Sequence, residues 1–178
     1  MKNMEVQRWL NILLVRLRDY VWHFFKKGEE GFNMKISQEG IDFIKEVEGY
    51  SEFPYVCAGG KMTIGYGHVI KDNESFPTGV TKKTAEMLLR KDVEIAEKAV
   101  SQLVKTELLQ NQFDALVSFV YNVGVQAFKE STLLKCLNAN EFRNVPLQLK
   151  RWVYAKGKVN RGLTNRRLKE IQVFEKGF

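Results

Sequence analysis

Between Glu48 and His68 the chain reads EGYSEFPYVCAGGKMTIGYGH, with glycines at 49, 59, 60, 65 and 67. Glycine costs conformational entropy, and so dense a cluster marks tight turns or close approach of backbone to a ligand rather than ordinary core packing. Short β-type runs, FPYV and KMTIGY, flank Ala58-Gly59-Gly60 and predict a hairpin. On either side the apolar residues recur at helical spacing. Ser37 can cap a helix through Val47, and Thr81 a long helix that follows. QNQFDALVSFVYNVG forms a strongly apolar helix ending at Gly124, and three further helical segments are predicted near 130–138, 141–154 and 164–176. One helix, a hairpin and then only helices give an α+β architecture, with a small β-hairpin lobe and a larger helical lobe.

Residues 1–33 form a separate segment, and 34–178 the main domain. In the first segment Val6, Leu10, Leu13, Leu14, Leu17, Val21 and Phe24 share one helical face, while Gln7, Arg8, Asn11, Arg18 and Asp19 share the other. This predicts an extra N-terminal amphipathic helix, followed by a hinge at KKGEEGFN. Its longest uncharged apolar-rich run, Trp9 to Val15, is far short of the roughly 20 residues that a membrane span needs. It also lacks a small-residue cleavage site, so a cleaved signal peptide is not expected.

Net charge is +7, and from Lys129 to Phe178 there are 12 Lys or Arg against 4 Asp or Glu. Such a balance suits an anionic partner. The basic residues alternate with apolar helical positions and make no nucleic-acid recognition motif, so nucleic acid is not an expected partner. Two cysteines, Cys57 and Cys136, do not make a disulfide scaffold, and without a CxxC or His/Cys cluster no metal site is expected.

The chemistry-bearing residues lie in the glycine-rich window. Glu48 sits at the C-terminal end of its helix, where the helix dipole disfavours a carboxylate, a setting suited to a general acid. The hairpin brings Cys57 and Thr63 back towards it. A thiol and a hydroxyl can hold or activate water, or stabilise an oxocarbenium-like sugar. Each residue also has an ordinary role: Glu48 as a solvated helix end, Cys57 as a small buried side chain, Thr63 as a β-former, His68 as a structural hydrogen-bonding histidine.

The combination Glu48-x8-Cys57-x5-Thr63 within TIGYGH resembles the phage-type lysozymes of glycoside hydrolase family 24. QFDALVSFVYNVGVQAFKESTLLKCLN, RWVYAKGKVNRGL and TNRRLKE follow in the family's order. The resemblance runs from about Lys35 to the C-terminus. It implies a two-lobed lysozyme-like fold and hydrolysis of the β-1,4 bond between N-acetylmuramic acid and N-acetylglucosamine in peptidoglycan, without metal or organic cofactor. Carried over, Glu48 is the general acid, Cys57 holds the place of the second catalytic group, and Thr63 positions water. Arg166 pairs with the glutamate, and Tyr66, His68, Val69, Tyr121 and Ser131 contact substrate.

It further implies a monomer made in the cytoplasm of a bacterial host and acting on the wall in the periplasm. Two departures stand out. Position 57 is cysteine where aspartate is commoner, and a free thiol, with a pKa of about 8.5, is a weak base at neutral pH unless activated. Arg16, Arg18 and Asp19 interrupt the N-terminal apolar run, which argues against a signal-anchor export route. Residues 1–33 instead suit an anionic membrane surface or a protein partner. An alternative function is a catalytically weak lysozyme-like module that binds peptidoglycan and is targeted by that helix.

Overall fold

The computed structural model describes residues 34–57 and 59–176. The amphipathic helix and hinge expected in 1–33 lie outside the described residues. Helix α1 (Gln38–Glu48) begins at Ser37, whose hydroxyl accepts from the Gly40 amide at 3.0 Å and donates to Asp114 at 2.5 Å. The Asp114 side chain lies so close to Gly40 that a Cβ there would stand 2.7 Å from its carboxyl carbon. The helix ends at Gly49, which takes a φ of +74° and turns the chain into the sheet.

Three antiparallel strands follow in sequential order: β1 (Ser51–Val56), β2 (Met62–Gly65) and β3 (His68–Val69). The single hairpin expected from the sequence is thus extended by a short third strand. A long helix, α2 (Lys82–Leu103), starts at Thr81, whose side chain accepts from the Thr84 amide. Helix α3 (Gln110–Val123) is apolar on nearly every side and is buried to match, packing against α2 and the last helix, α7 (Arg161–Phe174). Ile41, Ile44, Leu89, Phe113, Leu116, Phe119, Leu137 and Phe174 are among the core residues around it. Short helices α4 (Val125–Glu130) and α5 (Thr132–Asn138) divide at Ser131, which caps α5.

The segment 141–154 is not one helix as expected. A 3₁₀ turn at Phe142–Asn144 leads into a five-residue helix, α6 (Val145–Leu149), and the chain then enters a second hairpin, β4 (Tyr154–Ala155) with β5 (Lys158–Val159). Pro146 explains the break: it lacks an N–H, so it begins a helix more readily than it continues one. Asn160 then caps α7, which begins three residues earlier than the periodicity suggested. Among the described residues no helix is long and apolar enough to cross a membrane.

Candidate active site

Glu48 occupies the last position of α1, with its side chain 20% exposed. Its Oε1 takes a hydrogen bond from Arg166 Nη1 at 2.5 Å. That guanidinium is held from behind: Nε donates to Glu170 Oε1 at 3.1 Å, and Nη2 donates to the Ser118 carbonyl at 3.1 Å. Ser118 Oγ in turn donates to Glu170 Oε1 at 2.9 Å. Arg167 closes the network, bonding Glu170 and Asn122 while its guanidinium stacks 4.9 Å over the Phe119 ring. Glu170 is fully buried; desolvation pushes its carboxyl up, against the pull of the two arginines. Burial also draws Arg167 down to about 10.

The other Glu48 oxygen, Oε2, faces Gly67 and the Tyr121 hydroxyl. A Cβ on Gly67, whose φ is +88°, would stand 3.3 Å from Oε2 and 3.4 Å from the Tyr121 oxygen. Tyr121 donates to the Tyr66 carbonyl at 3.2 Å, and burial followed by the Glu48 charge raises its phenol. One carboxylate oxygen is therefore engaged by a cation, while backbone with no side chain lies against the other.

The sheet supplies a different kind of wall. Register places Tyr55, Thr63 and Val69 in one row across β1, β2 and β3, so these side chains share a face. Cys57, two residues beyond Tyr55, lies in the turn that follows. Its amide donates to the Lys61 carbonyl at 2.9 Å, and its carbonyl accepts from Gly60 at 2.8 Å. Hydrogen bonds from the Lys61 amide, the Thr63 hydroxyl and the Gly59 amide, largest first, lower the thiol pKa. Thr63 itself is 2% exposed, its single hydroxyl proton shared between the thiol and the Lys61 carbonyl 3.0 Å away. Tyr55 stands near both halves, its phenol raised by burial and then by the charges of Glu48 and Cys57.

The residues expected to contact substrate divide sharply. Val69 is exposed on the Thr63 face, and Tyr121 lies against Glu48. Ser131 lines a cavity of about 470 Å³ with Thr132, Gln148, Arg151 and Trp152. Its hydroxyl is committed locally, donating to the Phe128 carbonyl and accepting from the Leu134 amide. Tyr66 and His68 require correction. The Tyr66 ring is buried against Tyr50, centroids 5.5 Å apart, with the Lys45 ammonium over its face. His68 is 2% exposed, with Nδ1 on Asp92 at 2.7 Å and Nε2 on Glu74 at 2.9 Å. Neither side chain is free to meet a sugar.

Sequence reasoning missed Tyr55, Ser118 and Glu170, and placed Gly67 only within the glycine cluster. Tyr55 stands two residues before Cys57, the spacing that puts side chains on one side of an extended chain. The Arg166-Arg167-x-x-Glu170 spacing placed charge partners three and four residues apart on a helix. Ser118 had no local signal.

The phage lysozyme family profile matches residues 45–170, which takes in Glu48, Cys57, Thr63, Arg166 and Glu170. This chain belongs to the phage lysozyme family. Within that family, an endolysin of Bacillus phage PZA is 43% identical over 146 residues, covering 81% of this chain and 56% of the relative. The chain thus spans little more than half the length of that relative. Two solved structures share the fold at nearly their full length. The endolysin of Escherichia coli O157:H7 phage FAHEc1 superposes with a TM-score of 0.75 at 35% identity, covering 82% of this chain and 96% of the other. The muramidase domain of SpmX from Asticaccaulis excentricus gives 0.73 at 36% identity, covering 79% and 97%. The phage lysozyme fold is therefore common to both lobes and to the helix that carries Arg166.

Proposed function

We propose that the protein is an endolysin-type lysozyme, hydrolysing the β-1,4 bond between N-acetylmuramic acid and N-acetylglucosamine in bacterial peptidoglycan and so lysing a host cell. The observation that carries this reading is the half-bound state of Glu48: Arg166 grips Oε1, leaving Oε2 as the oxygen able to carry and release a proton. In the reaction Glu48 passes that proton to the bridging oxygen as the bond to the anomeric carbon breaks. Water held by Thr63 and Cys57 attacks that carbon and yields a proton to the Cys57 thiolate, after which acid and base re-equilibrate through solvent. The lowered thiol shifts in the direction that a cysteine needs in this position, which supports the reading. Membership of the phage lysozyme family and the likeness to the SpmX muramidase domain support the substrate. The route draws on no metal or organic cofactor.

In this reading residues 34–178 are the catalytic domain, acting as a monomer. Val69, Tyr121 and Ser131 contact the glycan, and the net charge of +7 suits a wall rich in carboxylates. The protein is made in the host cytoplasm and acts on the wall. Residues 1–33 engage an anionic membrane surface, and a peptide spanning them should co-sediment with anionic vesicles; none in the pellet overturns that part. The main reading is tested on purified peptidoglycan by zymogram and by loss of turbidity. Glu48→Gln should lower the rate about 10²–10⁴-fold, and a fully active variant would refute the acid assignment.

A further inference from the structure

The β4–β5 hairpin is a surface that the site does not use. Ala155 pairs with Lys158, leaving Lys156 and Gly157 as a two-residue turn with φ of +50° and +75°. Turns of this kind favour Asn-Gly or Gly-Gly, so a lysine at the first position is strained. Its side chain is exposed and gives nothing back in packing. On one face Tyr154 and Val159 stand directly opposite each other, 64% and 63% exposed, as an apolar pair in water. Lys150, Arg151, Lys156, Lys158 and Arg161 lie along the same stretch of chain, all exposed, with Lys158 beside Ala155 on the hairpin's other face. Among the described residues none of these five forms an ion pair. The Arg151 side chain donates to Gln148 Oε1 at 3.1 Å.

The wider sequence reinforces this field. No Asp or Glu occurs between Glu141 and Glu170. The hairpin is also held firmly: the Asn160 amide bonds the Val153 carbonyl at 2.7 Å, and the Trp152 ring meets Phe119 edge-on at 5.4 Å. The patch is preformed, which lowers the entropy cost of binding.

We propose that this hairpin is a docking surface for a phosphodiester-linked wall polymer, a polyol- or sugar-phosphate chain attached to peptidoglycan. The proposal rests on the wall-directed reading above. A lone carboxylate on a wall peptide satisfies one cation, whereas a chain with a charge in every repeat can satisfy several at once. The Arg151 and Arg161 forks match phosphate oxygens, and the Tyr154–Val159 pair offers the polyol or sugar an apolar face. Two side chains are too small an apolar face for stable membrane anchoring, which favours the polymer over lipid.

The test uses the full chain carrying Glu48→Gln, so that walls are bound without being consumed. Lys156→Gln, Lys158→Gln and Arg161→Gln are added together, and binding is measured on walls bearing the polymer, on the same walls stripped of it by hydrofluoric acid, and on phosphatidylglycerol vesicles. On polymer-bearing walls the triple variant should bind at least about tenfold more weakly, with a shallower dependence on salt. On stripped walls the two proteins should bind alike, and Lys156→Arg with Lys158→Arg should retain binding. Undiminished binding to polymer-bearing walls overturns the proposal. So does an equal loss on stripped walls, which would assign the patch to wall peptides, or a loss confined to vesicles, which would assign it to lipid. Hydrolysis of a soluble glycan fragment by the triple variant with Glu48 intact should be unchanged. An active Glu48→Gln protein would sink the hydrolase reading while leaving the binding comparison standing.

Discussion

Glu48 is fixed by a buried chain of charges running through Arg166 to Glu170, Ser118 and Arg167, whereas Cys57 is held by a turn of the sheet and three hydrogen-bond donors. The helical side removes water and spends its polar groups on one another. The sheet side keeps the thiol half-exposed and leaves Tyr55 and Val69 open to solvent. Under the function proposed above, the contrast follows from the two tasks. An acid must aim its proton along one line, so it gains from a rigid partner. A group that activates water must keep access to water. Mutations in the buried support behind Glu48 should therefore unfold the protein before they reveal chemistry, and those on the second side should impair chemistry in an intact fold.

The largest effect is expected at Glu170, because Glu170→Gln leaves two buried guanidiniums short of their shared carboxylate. Breaking such a network costs about 3–5 kcal/mol, a fall of roughly 10 °C in melting temperature for a domain of this size. An unchanged melting curve would erase the distinction between the two sides. Next in size is Cys57→Ala, which should slow wall hydrolysis about 10²-fold while shifting stability by less than about 1 kcal/mol. Cys57→Asp should keep activity, and a Cys57→Ala protein that lyses walls at full rate would show that the thiol is only packing.

A smaller effect separates the two cysteines. Alkylation of Cys57 by iodoacetamide should have its pH midpoint below the ordinary value of about 8.5, since its donors favour the thiolate. Cys136, buried and raised by desolvation, should react only on unfolding. Mass spectrometry of the labelled peptides distinguishes them. The smallest effect is an acid one. Glu74 is lowered first by the Lys71 amide and then by His68, so its contribution to stability is full above about pH 4.3, the unfolded glutamate value, and is lost as pH falls towards its folded value. Glu74→Gln should flatten the pH dependence of melting in that window, and an unaltered slope would remove Glu74 from the account.

Much of the local architecture was legible in the chain. Ser37 and Thr81 begin helices because a side-chain oxygen meets an amide three residues on, a relation contained within one turn. Gly124 ends α3 for an equally local reason, and the apolar period of α3 foretold its burial. The misreading of 141–154 came from weighing periodicity above Pro146 and above the β-type run VYAKGKV, whose Lys-Gly turn is an unusual form of a familiar hairpin. Tyr66 and His68 were misplaced because strand alternation says which residues share a face but not what stands opposite. Tyr50 and Lys45 cover one, and Asp92 and Glu74 take both nitrogens of the other.

The sequence by itself determined the α+β order, the helix caps, the glycine turns and the Glu–Cys–Thr spacing, since each depends on contacts a few residues apart. Tertiary structure alone decided that Arg166 reaches Glu48 across 118 positions, that Ser118 and Glu170 hold it there, and that, among the described residues, five exposed cations in and beside a hairpin form no ion pair. The reason is physical: backbone geometry repeats with a short period, but burial and charge pairing are set by which distant surfaces exclude water together.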